Sequence, residues 1–105
     1  MTRGDVYELQ LRPGTGHEQR GRRYGVVVQA DELTALSTVL IAPTSISARA
    51  ASWRPEIDVR GTRTRVLVEQ TGAVNTTRLG RRVTHVSHEE RWSIDDALRT
   101  VLALP

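Results

Sequence analysis

The chain has 105 residues, a length that predicts one domain, residues 1–105, with one modest hydrophobic core. All fifteen basic residues are arginine, against twelve acidic ones, and the net charge of +3 favours a phosphate or nucleic-acid partner because a guanidinium fork matches phosphate oxygens. The absence of cysteine excludes disulfides and thiolate chemistry, and without a signal-peptide pattern or an apolar run of roughly 20 residues we expect a cytoplasmic protein that does not enter a membrane.

Three strands are predicted in the first half of the chain. Residues 4–11 alternate imperfectly between apolar and polar side chains, which indicates a half-buried strand. The continuous run of valines at 26–28 is typical of a central strand covered on both faces. Residues 38–42 predict a third strand that ends at Pro43, and the Ser- and Ala-rich residues 45–52 predict a loop.

The second half predicts a hairpin and two short elements. Residues 56–60 place apolar side chains on one face and charges on the other, and Gly61 turns the chain into a strand over residues 65–70. Residues 76–80 predict one helical turn closed by glycine, and residues 83–86 predict a short strand.

The last element is predicted to be an amphipathic helix. Ser87 and Glu90 have the spacing of a capping box, in which each side chain bonds the other residue's backbone N–H. The apolar residues that follow recur at the 3, 4, 7 and 8 spacing of one helix face. They are Ile94, Ala97, Leu98, Val101 and Leu102.

The fold predicted from this inventory is mainly β. Five or six short strands with mostly short connections favour an antiparallel sheet curled into a small, partly open barrel, followed by the C-terminal helix. A parallel sheet is not expected, because no long crossover helices separate the strands.

A glycine-hinged loop before the valine run is the clearest candidate for a polyanion site. It carries Arg20, Arg22 and Arg23 on a segment that leads into a rigid strand. A solvated run of charge is the alternative interpretation, and an arginine bias is equally expected from a GC-rich genome. The segment alone therefore indicates anion binding without identifying the anion.

Five motifs, in order along nearly the whole chain, resemble the MazF/PemK family of bacterial toxin-antitoxin endoribonucleases. They are Arg3-Gly4-Asp5-Val6-Tyr7, Gly16-x-Glu18-Gln19-x-Gly21-x-Arg23, Val26-Val27-Val28-Gln29, Ala42-Pro43-Thr44-Ser45 and Val68-Glu69-Gln70.

The resemblance implies a fold, a reaction and partners. The fold is an SH3-like barrel of the MazF/CcdB type, assembled as a homodimer. The activity is cleavage of single-stranded RNA (mRNA, rRNA or tRNA) at a short sequence motif through attack by the RNA's own 2′-hydroxyl, with no metal and no cofactor. A MazE-like antitoxin is the implied inhibitory partner.

The resemblance also implies site residues. Arg23 and Thr44 match the family's catalytic pair, and their chemistry suits it, since a guanidinium stabilises phosphorane-like oxygens and a hydroxyl donates to phosphate. His17 and Glu18 are additional candidates for the general base. The residues expected to bind RNA are His17, Glu18, Gln19, Arg20, Arg22, Ser45, Glu69 and Gln70.

The chain departs from the family pattern at two places. Tyr24-Gly25 stands where relatives commonly have proline after the catalytic arginine, and Thr71-Gly72 stands where many have Ile-Arg. These departures bear on RNA affinity and cut-site preference. A different class of function also remains open, namely a non-catalytic relative that inhibits a protein such as DNA gyrase or only binds an antitoxin.

The remaining histidines and the tryptophans have two interpretations each. His85 and His88 lack metal-ligand companions at useful spacing and are predicted to be structural. Trp53 and Trp92 have the chemistry to stack on bases. Trp92 is more typical of an interface or core residue on the helix, and Trp53 lies in a loop that partner binding is expected to remodel.

Overall fold

The computed structural model describes residues 1–10 and 23–105, and every structural statement below concerns those residues. They form an antiparallel sheet of seven strands, three 3₁₀ turns and one α-helix. The strands are β1 (Asp5–Leu9), β2 (Tyr24–Val27), β3 (Thr38–Ser45), β4 (Glu56–Val59), β5 (Thr62–Val66), β6 (Gly72–Asn75) and β7 (Leu79–His85); the helix α1 is His88–Leu102, and the 3₁₀ turns are Asp31–Leu33, Val68–Gln70 and Thr76–Arg78.

The sheet curls because β3 changes partners along its length. The strand order is β4-β5-β3-β2-β1-β7, and β6 pairs with the first half of β3. Along one edge of β3, residues 38–41 pair with β6 and then Thr44 and Ser45 pair with β5, while residues 41–43 pair with β2 along the other edge. Pro43 lies at this change of partner, where a missing N–H is tolerated. The predicted end of the strand at Pro43 is therefore wrong, because the strand continues to Ser45 with a new neighbour.

The core lies on both faces of β2, as the valine run predicts. Val26 and Val28 pack with residues of β3, β4, β5 and the helix, and Val27 packs with Val39 and Ile41 on the other face. Each of the valines 26 and 27 is 1% exposed. The helix joins this core through Ile94 and Ala97.

The capping box and the barrel class are confirmed. Ser87 caps α1 by accepting from the Glu90 N–H at 3.1 Å, and the Glu90 carboxylate accepts from the Ser87 N–H at 2.8 Å. The mainly antiparallel, partly open barrel with a C-terminal helix is the predicted fold class.

Two predictions for the second half of the chain are wrong. Residues 67–70 are not strand, because the Leu67 N–H bonds the Pro43 carbonyl at 2.8 Å and the chain then turns over Val68–Gln70. The glycine of the predicted helical turn 76–80 lies inside β7 instead of closing the turn. β6 and the extension of β7 back to Leu79 also have no counterpart among the predicted elements.

A buried carboxylate ties β1 to β7. Asp5 is 3% exposed, and its Oδ1 accepts from Arg82 Nε at 2.9 Å and lies 2.8 Å from His85 Nδ1. Its Oδ2 accepts from the Thr2 N–H at 2.9 Å. Burial alone would raise the pKa of Asp5, but the bonds from His85, Thr2 and Arg82 together lower it to about 2. His85 therefore has the structural role that was predicted for it.

Asp5→Asn is expected to remove a pH-dependent part of the free energy of unfolding. The pKa of Asp5 is about 2 in the fold against an ordinary value of 3.8, so its carboxylate stabilises the fold above about pH 4 and this contribution is lost as the pH falls towards 2. Because the Arg82 side chain is 54% exposed, we expect no more than about 2 kcal/mol. Urea unfolding near neutral pH and near pH 2.5 measures the difference. An equal acid-induced loss in both proteins would contradict the assignment.

No helix in the described part of the chain is long and apolar enough to cross a membrane.

Candidate active site at the junction of β2 and β3

Arg23 stands at the entrance to β2 and its backbone is fixed there. It directly precedes the strand, and its carbonyl accepts from the Leu9 N–H of β1 at 2.9 Å. The side chain is half-buried. Any residue at position 23 would keep this carbonyl bond. The sheet therefore fixes the backbone at this position whichever side chain it carries.

Thr44 lies beside Arg23 across the β2–β3 boundary. It is 2% exposed, and its Oγ1 accepts from the Tyr24 N–H at 3.3 Å. The hydroxyl oxygen is thus occupied by the peptide that follows Arg23, which leaves the hydroxyl hydrogen for a second partner. The structure therefore brings the two candidate catalytic residues together through one backbone amide.

The unusual Tyr24-Gly25 exit has a physical role at each position. Proline at position 24 has no N–H and would lose the bond to Thr44. A Cβ at Gly25 would overlap Cγ2 of Ile41, which is 2% exposed. The backbone of β2 therefore approaches β3 more closely here than any side chain allows.

Ser45 continues β3 beyond Thr44. It is half-buried and pairs in register with Arg65 of β5, and its Oγ lies 3.5 Å from the Ser47 Oγ. Its hydroxyl is thus directed towards the start of the loop that follows β3.

The 3₁₀ turn Val68–Gln70 is tied to β3 next to Thr44. The bond from the Leu67 N–H to the Pro43 carbonyl anchors its start, and the Thr71 hydroxyl donates to the Val68 carbonyl at 2.8 Å to close it. Thr71 thus closes the turn with its hydroxyl, and Gly72 after it stands at the position where many relatives have the arginine of the Ile-Arg pair. The turn presents an exposed Gln70.

Glu69 is held by an arginine that the sequence did not identify. Arg54 donates from Nη2 and Nε to the Glu69 Oε2 at 2.7 and 3.0 Å. The hydrogen bond from Arg54 lowers the pKa of Glu69 and outweighs the opposing effect of burial. The carboxylate is therefore ionised at neutral pH and paired with a cation. The two residues lie fifteen positions apart, so no local pattern reveals the pair.

A groove of about 610 Å³ separates this turn from α1. Most of its wall is apolar, and an ion pair of 2.6 Å between Arg3 and Asp95 contributes to its lining. Glu69 and Thr71 contribute from the turn. The apolar lining residues are Val28, Leu40, Val68, Leu98, Val101, Leu102 and Leu104.

The sequence-predicted residues divide into three groups. Arg23, Thr44 and Ser45 lie together at the β2–β3 junction, and Glu69 and Gln70 lie on the neighbouring turn. The other five, His17, Glu18, Gln19, Arg20 and Arg22, lie outside the described residues. Within the described ranges there is no group of three or more histidine, aspartate or glutamate side chains that could hold a metal ion.

A toxin family and several relatives match the sequence over nearly its whole length. The model of the PemK-like, MazF-like toxins of type II toxin-antitoxin systems matches residues 2–102. A Mycobacterium tuberculosis (strain ATCC 25618 / H37Rv) protein described as a candidate toxin is 38% identical over 106 residues, covering 99% of each chain. Endoribonuclease EndoA of Bacillus subtilis (strain 168) is 31% identical over 111 residues, covering 99% of this chain and 96% of EndoA.

A solved structure shares the fold. An endoribonuclease from a mycobacterial species, determined in complex with its cognate antitoxin, superposes with a TM-score of 0.83 at 19% identity. The match covers 100% of this chain and 97% of the other. Because the two sequences are only 19% identical, this similarity establishes the shared fold, a barrel with a C-terminal helix.

Proposed function

Because the chain belongs to the PemK-like, MazF-like family of toxins of type II toxin-antitoxin systems, we propose that it is an endoribonuclease that cuts single-stranded RNA at a short sequence motif. The cut occurs by transesterification through the 2′-hydroxyl and needs no metal. EndoA, the relative at 31% identity, is itself an endoribonuclease.

One hydrogen bond, between Tyr24 and Thr44, is the observation that supports a role for particular residues. The Tyr24 N–H bonds the Thr44 Oγ1 at 3.3 Å, so the residue that follows Arg23 is joined to the Thr44 hydroxyl. We therefore place the reacting phosphate where the Arg23 guanidinium and the Thr44 hydroxyl can both donate to it. Since Thr44 is 2% exposed, the phosphate must approach closely to receive the hydroxyl hydrogen.

The reaction requires charge stabilisation and two proton transfers. A base takes the proton of the 2′-hydroxyl, the 2′-oxygen bonds the adjacent phosphorus, and the bond from phosphorus to the 5′-oxygen breaks. The leaving 5′-oxygen takes up a proton. The products are a 2′,3′-cyclic phosphate and a 5′-hydroxyl.

Arg23 supplies the charge stabilisation. Its guanidinium donates to the nonbridging oxygens, whose negative charge grows in the transition state, and fixed donors of this kind commonly contribute the largest share of catalysis. Arginine is a poor general base, because a guanidinium has no free lone pair with which to accept a proton. Thr44 donates to the same phosphate, and His17 or Glu18 serves as the general base.

The remaining candidate residues grip the RNA strand. Ser45, which follows Thr44 in β3, and Gln70, which is exposed on the neighbouring turn, offer neutral hydrogen-bonding groups. Glu69 offers a carboxylate that accepts from base amino groups, and Arg54 fixes its position. The RNA contact is completed by Gln19, Arg20 and Arg22, together with His17 and Glu18.

We further propose that the protein acts in the cytoplasm as a homodimer and that a MazE-like antitoxin inhibits it. The mycobacterial endoribonuclease of the same fold was determined with its cognate antitoxin. The apolar groove lined by the 3₁₀ turn and α1 exposes large apolar side chains to water, since Leu40 is 41% and Leu102 59% exposed. A contiguous apolar surface of this kind is typical of a protein-protein interface. A second copy or the antitoxin would cover such a surface.

Incubation of the purified protein with a mixed RNA pool in EDTA tests the reaction. We expect fragments whose 5′-hydroxyl ends map to one short motif in unpaired regions, while a fully paired copy of the same sequence stays intact. Full-length RNA after prolonged incubation, from protein that retains a cooperative thermal transition, would contradict the proposal and favour a binding-only toxin.

A further inference from the structure

The loop between β3 and β4 presents an aromatic side chain to solvent. Trp53 is 40% exposed and Ile46, at the other end of the loop, is 69% exposed. Arg49, between them, is exposed as well. A large aromatic surface beside a cation has the composition of a stacking site for nucleic-acid bases.

Arg54 fixes the loop directly after Trp53. Its N–H bonds the Ala51 carbonyl at 3.0 Å, and its Nη1 bonds the Arg49 carbonyl at 3.3 Å. Its remaining donors hold Glu69, and its own carbonyl accepts from Arg65 Nη1 at 3.0 Å. These contacts of Arg54 with four residues stabilise one conformation of the loop. The backbone next to Trp53 therefore loses little conformational entropy when the loop binds a ligand.

The loop lies at the same end of the sheet as the candidate active site. Thr44 pairs with Val66, and the Val66 N–H bonds the Pro55 carbonyl at 2.9 Å. Pro55 is therefore two strand spacings, about 10 Å, from Thr44. Trp53 precedes Pro55 by two residues, a position that neighbouring nucleotides of a bound strand can reach.

The charges around the loop also favour RNA. Two carboxylates of the described residues that contact this loop or follow it are already paired, Glu69 with Arg54 at 2.7 Å and Glu56 with Arg65 at 3.5 Å. Arg49 adds an exposed cation. An anionic strand thus meets paired acids and an additional positive charge at this surface.

We propose that the indole of Trp53 is a stacking surface for an unpaired base next to the cleaved phosphate, with Arg49 facing the sugar-phosphate backbone. This inference rests on the proposed endoribonuclease function. Stacking accepts any base, since every base has a π-face, but it requires that the base be unpaired. Trp53 therefore selects single strands, whereas hydrogen-bonding residues select the sequence.

Intrinsic fluorescence tests the proposal, because the chain has only two tryptophans. Trp92→Phe leaves Trp53 as the only reporter, and Trp53→Phe leaves Trp92, which is 66% exposed on α1, as the matched control. The probe is a single-stranded oligonucleotide that carries the cleaved motif and a 2′-deoxy sugar at the cut position. We expect quenching in the first variant and none in the second, and no quenching by the same sequence as a duplex.

Binding of the labelled oligonucleotide, followed by anisotropy, gives the second readout. Trp53→Ala is expected to weaken binding by about tenfold, whereas Trp53→Tyr retains most of the affinity. RNA binding without quenching of Trp53 and without loss in Trp53→Ala would overturn the stacking site and leave the endoribonuclease intact. If Trp53 fluorescence decreases with rising protein concentration and does not respond to RNA, the surface contacts a second copy of the chain, which would also overturn the stacking site. If the wild type neither binds nor cuts RNA, the proposed function itself fails.

Discussion

Replacing Arg23 with alanine is expected to lower the rate of RNA cleavage by at least about a hundredfold without unfolding the protein. The substitution removes the guanidinium donors proposed for the transition-state charge, and losing one such donor commonly costs a hundredfold or more. The fold is expected to survive, because the Arg23 bond to β1 is made by the backbone carbonyl. Single-turnover cleavage of a labelled single strand measures the effect.

Arg63→Ala is the matched control for Arg23→Ala. The Arg63 side chain is 80% exposed on the β4–β5 hairpin, so its removal changes the net charge equally at a distance from the junction. We expect nearly unchanged cleavage. Arg23→Lys is expected to stay far below the wild type, since lysine keeps the charge but loses the fork. Cleavage by Arg23→Ala within twofold of the wild type would remove Arg23 from the mechanism.

Gly25→Ala is expected to lower the free energy of unfolding by about 3 kcal/mol. The added Cβ overlaps Cγ2 of Ile41, which is packed in the core at 2% exposure. The strain falls on the β2–β3 contact that also carries Arg23 and Thr44. Urea unfolding at neutral pH measures the loss, and the residual folded protein is expected to cut RNA more slowly.

A double-mutant cycle separates this overlap from other effects of the substitution. Ile41→Ala removes Cγ2, so Gly25→Ala is expected to cost at least about 1 kcal/mol less in that background. Gly72→Ala is the matched control, because Gly72 pairs with Ile41 from β6 on the other edge of β3. The nearest atom that a Cβ at Gly72 would meet is the Gln70 backbone oxygen at 3.9 Å, so this substitution causes no overlap. A Gly72→Ala variant as unstable as Gly25→Ala, or additive effects in the cycle, would show that the overlap is not the cause.

The elements that the sequence predicts correctly are those with a local signal. The valine run of β2 and the capping box of α1 depend on residues a few positions apart. The path of residues 67–72 depends on the Pro43 carbonyl, which is far away in sequence and diverts Leu67 from its strand. The extension of β3 past Pro43 likewise depends on a second partner strand that no local pattern reveals.

The residues of the candidate site also differ in whether the sequence predicts them. The family resemblance predicts Arg23 and Thr44 as the catalytic pair, and the structure adds a hydrogen bond from the Tyr24 N–H to Thr44 that places the two residues close to each other. Arg54 was not predicted, because its role is a contact with Glu69 across fifteen residues. The Tyr24-Gly25 departure, which by sequence alone bears on RNA affinity and cut-site preference, is explained by this hydrogen bond and by the close approach to Ile41.

We propose that the RNA's own 2′-hydroxyl is the nucleophile at the Arg23–Thr44 junction. Two oligonucleotides that carry the mapped motif and differ only in a 2′-hydroxyl or a 2′-deoxy sugar at the cut position test it most directly, each incubated with the wild-type protein in EDTA. We expect the first to be cut to a 2′,3′-cyclic phosphate and a 5′-hydroxyl, while the second binds equally well and stays intact. Cleavage of the 2′-deoxy oligonucleotide at the same position would contradict it.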